Sequence, residues 1–76
     1  MSGPGQLDPI VRELIYLAVS INNSCEYCMA SHTAAARSKG ATEEMLNELK
    51  AIIALANNTN RLAVGYQIPV DERYRQ

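Results

Sequence analysis

The second half of the chain carries an apolar stripe with the period of an α-helix. Thr42 is a favourable N-cap residue, and Glu43 and Glu44 suit the positive end of a helix dipole. The stripe that follows recurs every three or four residues and comprises Met45, Leu46, Leu49, Ile52, Ile53 and Ala56. It stays in register across the polar run 57–60, which is either a kink in one helix or a break between two. We favour one long helix that continues to about Gly65.

A shorter helix is predicted near the N-terminus. Asp8 can act as its N-cap, and Pro9 can occupy its first position, where the missing N–H of proline costs nothing. The helix should run from Pro9 to about Ile21. Its apolar residues cover most of its circumference, so we expect it to be buried on most sides.

A second helix is predicted after the polar triplet Asn22-Asn23-Ser24, which supplies N-cap residues. This helix should run from about Ser24 to Ser38, and Gly40 should terminate it in a left-handed conformation. The alanines at 34–36 leave room for neighbouring helices to approach closely. No stretch shows the alternation typical of a strand. The sequence therefore predicts an all-α fold, a small bundle built from a helical hairpin and one long helix.

Length and composition predict a single small domain. The chain has 76 residues, of which 47% are hydrophobic, with no Trp and no Phe, so its core must be mainly aliphatic. A domain of this size buries only roughly 60% of the surface that its unfolded chain exposes, so we expect oligomerisation to complete the bundle. We expect a flexible segment at 1–7, the helical domain at 8–71 and a loose tail at 72–76.

Charge and hydropathy argue against nucleic acid and membranes as partners. The formal net charge is −1, and the seven Lys and Arg residues are spread along the chain rather than forming a basic stripe. The first six residues lack the cationic and apolar regions of a signal peptide, and no apolar run approaches the roughly 18 residues of a membrane span. We therefore expect a cytoplasmic protein.

The only two cysteines and the only histidine lie within eight residues, at Cys25, Cys28 and His32. On a helix this spacing places all three side chains along one face. Structural disulfides are rare in the cytosol, so the pair is expected to be catalytic, redox-sensing or metal-binding. The helix dipole favours a thiolate at Cys25, which the predicted boundaries place in the opening turn of the second helix.

Glu13 is the fourth candidate site residue. It lies at the edge of the apolar stripe of the first helix, where a charge is costly to bury without a partner. Arg12 projects to another face and is expected to pair with Asp8. In an antiparallel hairpin Glu13 would face Cys28 and His32, completing a proton relay for thiol chemistry. The alternative is an ordinary, partly exposed surface glutamate.

A structural zinc site is a competing interpretation of the same cluster. Cys25, Cys28 and His32 supply only three ligands, whereas a closed zinc site requires four and the chain has no further Cys or His. Glu13 could complete the set, although carboxylates are uncommon in structural sites. We therefore predict no metal and no cofactor beyond the cysteine pair. Tyr16 and Tyr27 are interpreted as packing residues with a solvated hydroxyl.

Several of these features together resemble the carboxymuconolactone decarboxylase and alkyl hydroperoxidase D superfamily. The resemblance covers roughly residues 8 to 72. It rests on Glu13, Cys25-Glu26-Tyr27-Cys28-Met29-Ala30-Ser31-His32, Gly40-Ala41-Thr42-Glu43-Glu44, Asn60-Arg61-Leu62-Ala63 and Ile68-Pro69-Val70-Asp71. Members of this superfamily are all-helical and assemble into oligomers, often trimers or hexamers. The resemblance therefore implies a homo-oligomer, and because family domains are usually longer, neighbouring subunits should cover the surface that further helices cover elsewhere.

The resemblance also implies roles for the four site residues in reducing hydroperoxides. Cys28 would be the attacking thiolate, Cys25 the resolving thiol, and His32 with Glu13 the proton relay. This assignment conflicts with the helix-dipole argument, which favours Cys25. The implied partners are a hydroperoxide substrate and a reductant, either a thiol protein or a lipoyl-type dithiol. Tyr27 stands where the better-studied hydroperoxidases have a histidine.

Two other functions stay open at this point. The first is decarboxylation of a lactone, as the superfamily name implies, but that chemistry does not need two thiols. The second is a non-catalytic protein whose cysteine pair only senses oxidation. We favour the thiol-dependent reduction of hydroperoxides.

Overall fold

A computed structural model describes residues 5–75, and its architecture is all-α, which confirms the predicted fold class. Three helices follow one another: α1 over Pro9–Asn22, α2 over Glu26–Ser38 and α3 over Glu43–Gly65. A short 3-10 helix occupies Glu72–Tyr74, and its side chains are exposed. No strand occurs between residues 5 and 75. The parts of the predicted end segments at 1–4 and 76 lie outside the described residues.

The predicted caps of α1 and α3 are confirmed. Asp8 Oδ1 accepts a hydrogen bond from the backbone N–H of Ile10 at 2.9 Å. Thr42 Oγ1 accepts one from the backbone N–H of Met45 at 3.1 Å. Each bond satisfies one of the donors that a helix start leaves without a partner. The polar run 57–60 lies inside α3, which is one continuous helix as we favoured.

The start of α2 differs from the prediction. The helix begins at Glu26 and its N-cap is Cys25, so none of the three polar residues before it caps the helix. Cys25 therefore precedes the first turn, whereas Cys28 lies within it. The reason is the conformation of Ser24, whose φ of 58° is left-handed, so this residue closes the end of α1 and cannot belong to α2.

All three helices end in the same hydrogen-bonding pattern, a Schellman motif. After α2, the Gly40 N–H donates to Arg37 O at 3.0 Å and the Ala41 N–H donates to Ala36 O at 2.9 Å. Gly40 has the predicted left-handed conformation, with a φ of 105°. Ser24 after α1 and Gln67 after α3 take the equivalent position without being glycine.

The core is small and lies where α1 packs against α2 and against the first half of α3. Leu17 and Leu46 are its fully buried large side chains, and Ala36 and Ala41 complete it. Partly buried residues surround these four: Ile10, Leu14, Ile21, Met29, Met45 and Leu49. The α1–α2 hairpin is the part of this fold that brings residues distant in sequence to one site.

Beyond the core, α3 extends away from the rest of the chain. The radius of gyration is 15.2 Å, compared with about 11 Å for a compact domain of this length. The far half of α3 exposes apolar side chains along one face, at Ile52, Leu55 and Leu62. We call these three residues the exposed α3 stripe. Contrary to the expectation for α1, the apolar residues Val11, Ile15 and Val19 are also exposed in the chain.

The prediction that Arg12 pairs with Asp8 is wrong, because their side chains form no ion pair or hydrogen bond with each other. Arg12 instead lies beside Gly5 and lines a shallow apolar groove on the outer face of α1. The Asp8 carboxylate is engaged by the helix N-terminus, which offers it a backbone donor next in sequence.

Among the helices of residues 5–75, none combines the length and the apolarity needed to cross a lipid bilayer.

Candidate thiol site

Cys25 and Cys28 are joined by a disulfide, with Cα atoms 5.2 Å apart. The pair lies at the N-terminus of α2, and both residues are half-buried. The Cys25 N–H donates to Ser20 O at 2.9 Å, which ties this turn to the end of α1. The Cys25 carbonyl accepts from the Met29 N–H at 2.8 Å, which begins the helical ladder. The structure thus corresponds to the oxidised form of the cysteine pair.

Glu13 and His32 contact each other across the α1–α2 hairpin. Glu13 Oε2 lies 2.7 Å from His32 Nδ1. The Glu13 side chain is 5% exposed and that of His32 is 23% exposed, so this contact is largely shielded from solvent. Glu13 is therefore not an ordinary surface glutamate, which was the alternative that the sequence left open.

Lys39 binds the other oxygen of the same carboxylate. Its Nζ lies 2.6 Å from Glu13 Oε1, and its side chain is 40% exposed. Glu13 thus accepts hydrogen bonds at both oxygens, from His32, which follows it by 19 residues, and from Lys39, which follows it by 26. A buried carboxylate with a partner on each oxygen meets the requirement that buried charges be paired and hydrogen-bonded.

These contacts hold the pKa of the Glu13 carboxyl below its ordinary value. The hydrogen bond from His32 is the largest cause, and the hydrogen bond and positive charge of Lys39 act in the same direction. Burial acts in the opposite direction but is outweighed. Glu13 is accordingly an anion at neutral pH. Because a carboxylate anion only accepts hydrogen bonds, His32 must carry a proton on Nδ1, which leaves Nε2 as the nitrogen able to accept one.

Tyr16 stacks on the His32 ring. The two ring centroids are 3.7 Å apart and the rings are inclined by 24°. Tyr16 is one turn after Glu13 on α1, so the same face of α1 both hydrogen-bonds the imidazole and covers it. The ring of His32 is therefore fixed in position as well as in orientation. Tyr27, by contrast, is 83% exposed and does not pack within the chain.

Cys28 and His32 are one helical turn apart on α2. Residues at this spacing lie on the same face of a helix, with Cβ atoms roughly 5–6 Å apart. Cys25 lies outside the helix at the N-cap and is three residues further from His32. Of the two sulfur atoms, that of Cys28 is hence the better placed to exchange a proton with the imidazole.

Within the described part of the chain, no group of three or more His, Cys, Asp or Glu side chains is arranged to hold a metal ion.

Two contacts of this site were missed from the sequence. The sequence indicated no contact between Lys39 and Glu13, and Tyr16 was interpreted as a packing residue. A charge count could have indicated Lys39, because a buried Glu13 beside a neutral imidazole still requires a cation. Its identity depends on the hairpin, which places the end of α2 beside the start of α1.

The fold and the site define an all-α protein in which a Cys-x-x-Cys disulfide and a buried glutamate paired with His32 and Lys39 share one helical hairpin. The sequence profile described as the carboxymuconolactone decarboxylase family matches residues 1–70. The chain therefore belongs to the carboxymuconolactone decarboxylase family.

One solved structure gives a detailed comparison. The chain is similar to the alkylhydroperoxidase AhpD core from Rhodospirillum rubrum, with 59% sequence identity and a TM-score of 0.93. The match covers 97% of this chain and 54% of that one, so the chain spans about half the length of this relative. No curated protein matches the sequence significantly.

Proposed function

We propose that this protein reduces hydroperoxides with its cysteine pair, as a thiol-dependent peroxidase. The observation that carries the proposal is the Glu13–His32 contact of 2.7 Å on the helix that bears Cys28. Further support comes from the 59% identity to a chain described as an alkylhydroperoxidase core. The Cys-x-x-Cys disulfide is the product that such a reaction would leave.

In the first step, His32 Nε2 takes the proton of the Cys28 thiol. The thiolate attacks the terminal oxygen of the hydroperoxide, a sulfur–oxygen bond forms and the O–O bond breaks. The leaving alkoxide takes the proton back from His32 and departs as the alcohol. Cys28 is then a sulfenic acid, and His32 is neutral again. Glu13 accepts the Nδ1–H bond throughout and stabilises the imidazolium while it exists.

In the second step, the Cys25 thiol attacks the sulfur of the Cys28 sulfenic acid. A disulfide forms, and the hydroxyl group leaves as water with the proton of Cys25. An external dithiol, either a thiol protein or a lipoyl-type group, then reduces the disulfide by thiol–disulfide exchange. The sum is one hydroperoxide and one dithiol converted into one alcohol, one water and one disulfide. No cofactor other than the cysteine pair takes part.

The attacking role goes to Cys28 for a structural reason. Cys25 is the N-cap of α2 and Cys28 lies in its first turn, so the positive end of the helix dipole favours a thiolate at either residue. Cys28 is also one turn from His32. The dipole argument therefore does not separate the two cysteines, and the assignment rests on the spacing of Cys28 and His32 together with the role that the family resemblance implies.

We also propose that the working unit is a cytoplasmic homo-oligomer. The chain has an accessible surface of 6117 Å², whereas a compact monomer of its mass exposes about 4600 Å². The exposed α3 stripe contributes to this surface. Association of copies through this stripe, into a trimer or hexamer, would cover it, and a reducing cytoplasm would keep the pair available as thiols.

The family's name describes a different reaction, the decarboxylation of a lactone. That reaction does not require two thiols, so alkylation of both cysteines separates the two candidates. Treatment of the reduced protein with iodoacetamide should abolish hydroperoxide consumption. Decarboxylation of carboxymuconolactone that survives the same treatment would reverse our ranking.

The peroxidase proposal is tested by counting products. Reduced protein, freed of excess reductant, is mixed with cumene hydroperoxide in the absence of metal ions. We expect one cumyl alcohol formed and two thiols lost per chain, at a rate that saturates with peroxide. Thiol loss with slow, non-saturable kinetics would instead indicate a protein that only senses oxidation.

A further inference from the structure

The Glu13 carboxylate is shared between a group that exchanges protons and a group that is permanently charged. His32 occupies Oε2 at 2.7 Å and Lys39 occupies Oε1 at 2.6 Å. With His32 neutral, the charges of Glu13 and Lys39 cancel, and the cluster has no net charge. With His32 protonated, the cluster carries a net charge of +1. Without Lys39, the protonated state would be the neutral one.

The fold fixes Lys39 where it can make this contact. Lys39 is the C-cap of α2, and its N–H donates to the carbonyls of Ala35 and Ala36, both at 3.1 Å. Gly40 follows with a φ of 105° and turns the chain toward α3. Ala41 is buried and anchors this turn in the core. The lysine backbone is thus held on both sides, and the long side chain reaches back to α1.

We propose that Lys39 is a positioning residue of the thiol site, whose ammonium holds Glu13 as an anion turned toward His32 and favours loss of the proton from the Cys28–His32 pair. The proposal deepens the proposed function, because it assigns a role to a residue outside the cysteine, histidine and glutamate set. It concerns charge and orientation, and Lys39 does not touch the reacting atoms.

The physical basis is the repulsion between two cations on one carboxylate. Lys39 Nζ and His32 Nδ1 each lie within hydrogen-bond distance of one oxygen of Glu13, so their separation is at most about 7 Å. Even at the dielectric constant of water, a positive charge at that distance favours proton loss by about half a pH unit, and partial burial increases the effect. Because Lys39 is 40% exposed, we expect a value near the lower end of the range from about 0.5 to 1 unit.

No other charged group in the described residues contacts this cluster. From α1, Glu13 and the phenol of Tyr16 face His32. Within α2 the one basic residue besides His32 is Arg37, which is bound to Glu43 on α3 by two hydrogen bonds of 2.7 and 3.2 Å. Removal of Lys39 hence changes one charge at the cluster and leaves the Arg37–Glu43 pair in place.

The test uses the single histidine of the chain as a reporter. The protein is studied in its oxidised form, where neither cysteine titrates, and the pH at which the His32 imidazole titrates is measured by NMR. In Lys39→Met we expect the midpoint to move to higher pH by about 0.5 to 1 unit. In Lys39→Arg, which keeps the charge, we expect the midpoint of the wild type to within about 0.2 unit.

Lys50→Met is the matched control, since Lys50 is the only other lysine and is exposed on α3. It should leave the midpoint unchanged. Equal midpoints in the wild type and Lys39→Met would overturn the proposal, and so would a shift of the same size in Lys50→Met. If circular dichroism shows that Lys39→Met is unfolded, Lys39→Gln removes the same charge with a more polar side chain and decides the question.

A kinetic measurement links the inference to the reaction. The rate of single-turnover hydroperoxide reduction is measured as a function of pH. The acid limb of this profile should move to higher pH in Lys39→Met, in the same direction as the NMR midpoint. In Lys39→Arg it should lie at its wild-type position. If the NMR midpoint moves in Lys39→Met but the wild type consumes no hydroperoxide, the effect of Lys39 on His32 stands and the proposed function is contradicted. If the wild type consumes hydroperoxide but the midpoint is the same in Lys39→Met as in the wild type, only the role of Lys39 is contradicted.

Discussion

Glu13 Oε2 and His32 Nδ1 are 2.7 Å apart, although the residues are 19 positions apart in the chain and lie on different helices. The contact exists because α1 and α2 form an antiparallel hairpin whose short connection contains the left-handed Ser24. Four features of the site follow from this relationship: a buried anion, a fixed imidazole orientation, a free Nε2 and a place for Lys39.

Replacement of Glu13 by Gln tests the catalytic consequence of this contact. Gln is close to Glu in size but carries no charge, so it cannot stabilise the imidazolium. We expect the rate of hydroperoxide reduction to fall by roughly 10- to 100-fold, since a positioned acid–base pair typically contributes about 100-fold or more. The rate is measured by stopped-flow, with Glu43→Gln as the control, because Glu43 has a comparable ion pair away from the site. An unchanged rate in Glu13→Gln would remove Glu13 from the relay.

The difference in stability between the wild type and Glu13→Gln should depend on pH. In the unfolded chain the Glu13 carboxyl titrates near 4.5, and in the folded protein its pKa is lower. Its contribution is therefore fully present above the unfolded value and is lost as the pH falls through the lower folded value. At pH 7 the wild type should be more stable than Glu13→Gln by about 1–3 kcal/mol, as judged by urea unfolding.

This difference should shrink steadily when unfolding is repeated between pH 5 and pH 3. The difference between the two proteins isolates Glu13 from Glu43, whose carboxyl pKa is also lowered, mainly by its hydrogen bond from Arg37. A difference that stays constant or grows toward acid pH would show that the Glu13 carboxylate does not stabilise the fold.

The left-handed turn before the cysteine pair predicts a stabilising substitution. Ser24 has a φ of 58°, a conformation that costs residues with a Cβ about 1–2 kcal/mol. Ser24→Gly removes this cost but adds freedom to the unfolded chain, so we expect a net gain of about 0.5–1 kcal/mol in urea unfolding. Gly40→Ala is the opposite case, because Gly40 has a φ of 105°, and it should destabilise by about 1 kcal/mol or more. Changes of the same sign in both variants would contradict the assigned turn geometry.

The exposed α3 stripe predicts self-association. Light scattering at a protein concentration of about 100 μM should give a mass several times that of one chain. Leu55→Glu places a charge in the middle of the stripe and should reduce the mass to that of smaller species, because burial of an unpaired charge is costly. Ala54→Glu adds the same charge on a different face of α3 and should leave the mass unchanged. A wild type that is monomeric at this concentration would contradict the proposed oligomer.

Much of the fold could be predicted from the sequence because its signals are local. Asp8 with Pro9, Thr42 and Gly40 each act within one turn of the chain, and all three marked their helix ends correctly. The start of α2 was misplaced because Ser24 adopts a conformation that serine favours weakly and that no neighbouring residue indicates.

The site was only partly predictable for a different reason. Glu13 was detectable because a charge at the edge of an apolar stripe requires a partner, and the hairpin offered His32. The contact with Lys39 spans 26 residues and depends on how far α2 extends along α1, which spacing alone does not define. The exposure of the α3 stripe was likewise hidden, because periodicity indicates that a face is apolar but not which chain covers it.

The central claim is that Cys28 attacks the hydroperoxide and Cys25 resolves the product. It is tested most directly by single-turnover reaction of the reduced wild type, Cys28→Ser and Cys25→Ser with cumene hydroperoxide, followed by mass spectrometry. We predict that Cys28→Ser consumes no peroxide above the rate of a free thiol, while Cys25→Ser consumes one equivalent and stops at a sulfenic acid on Cys28. Equal rates in the wild type and Cys28→Ser would contradict the account.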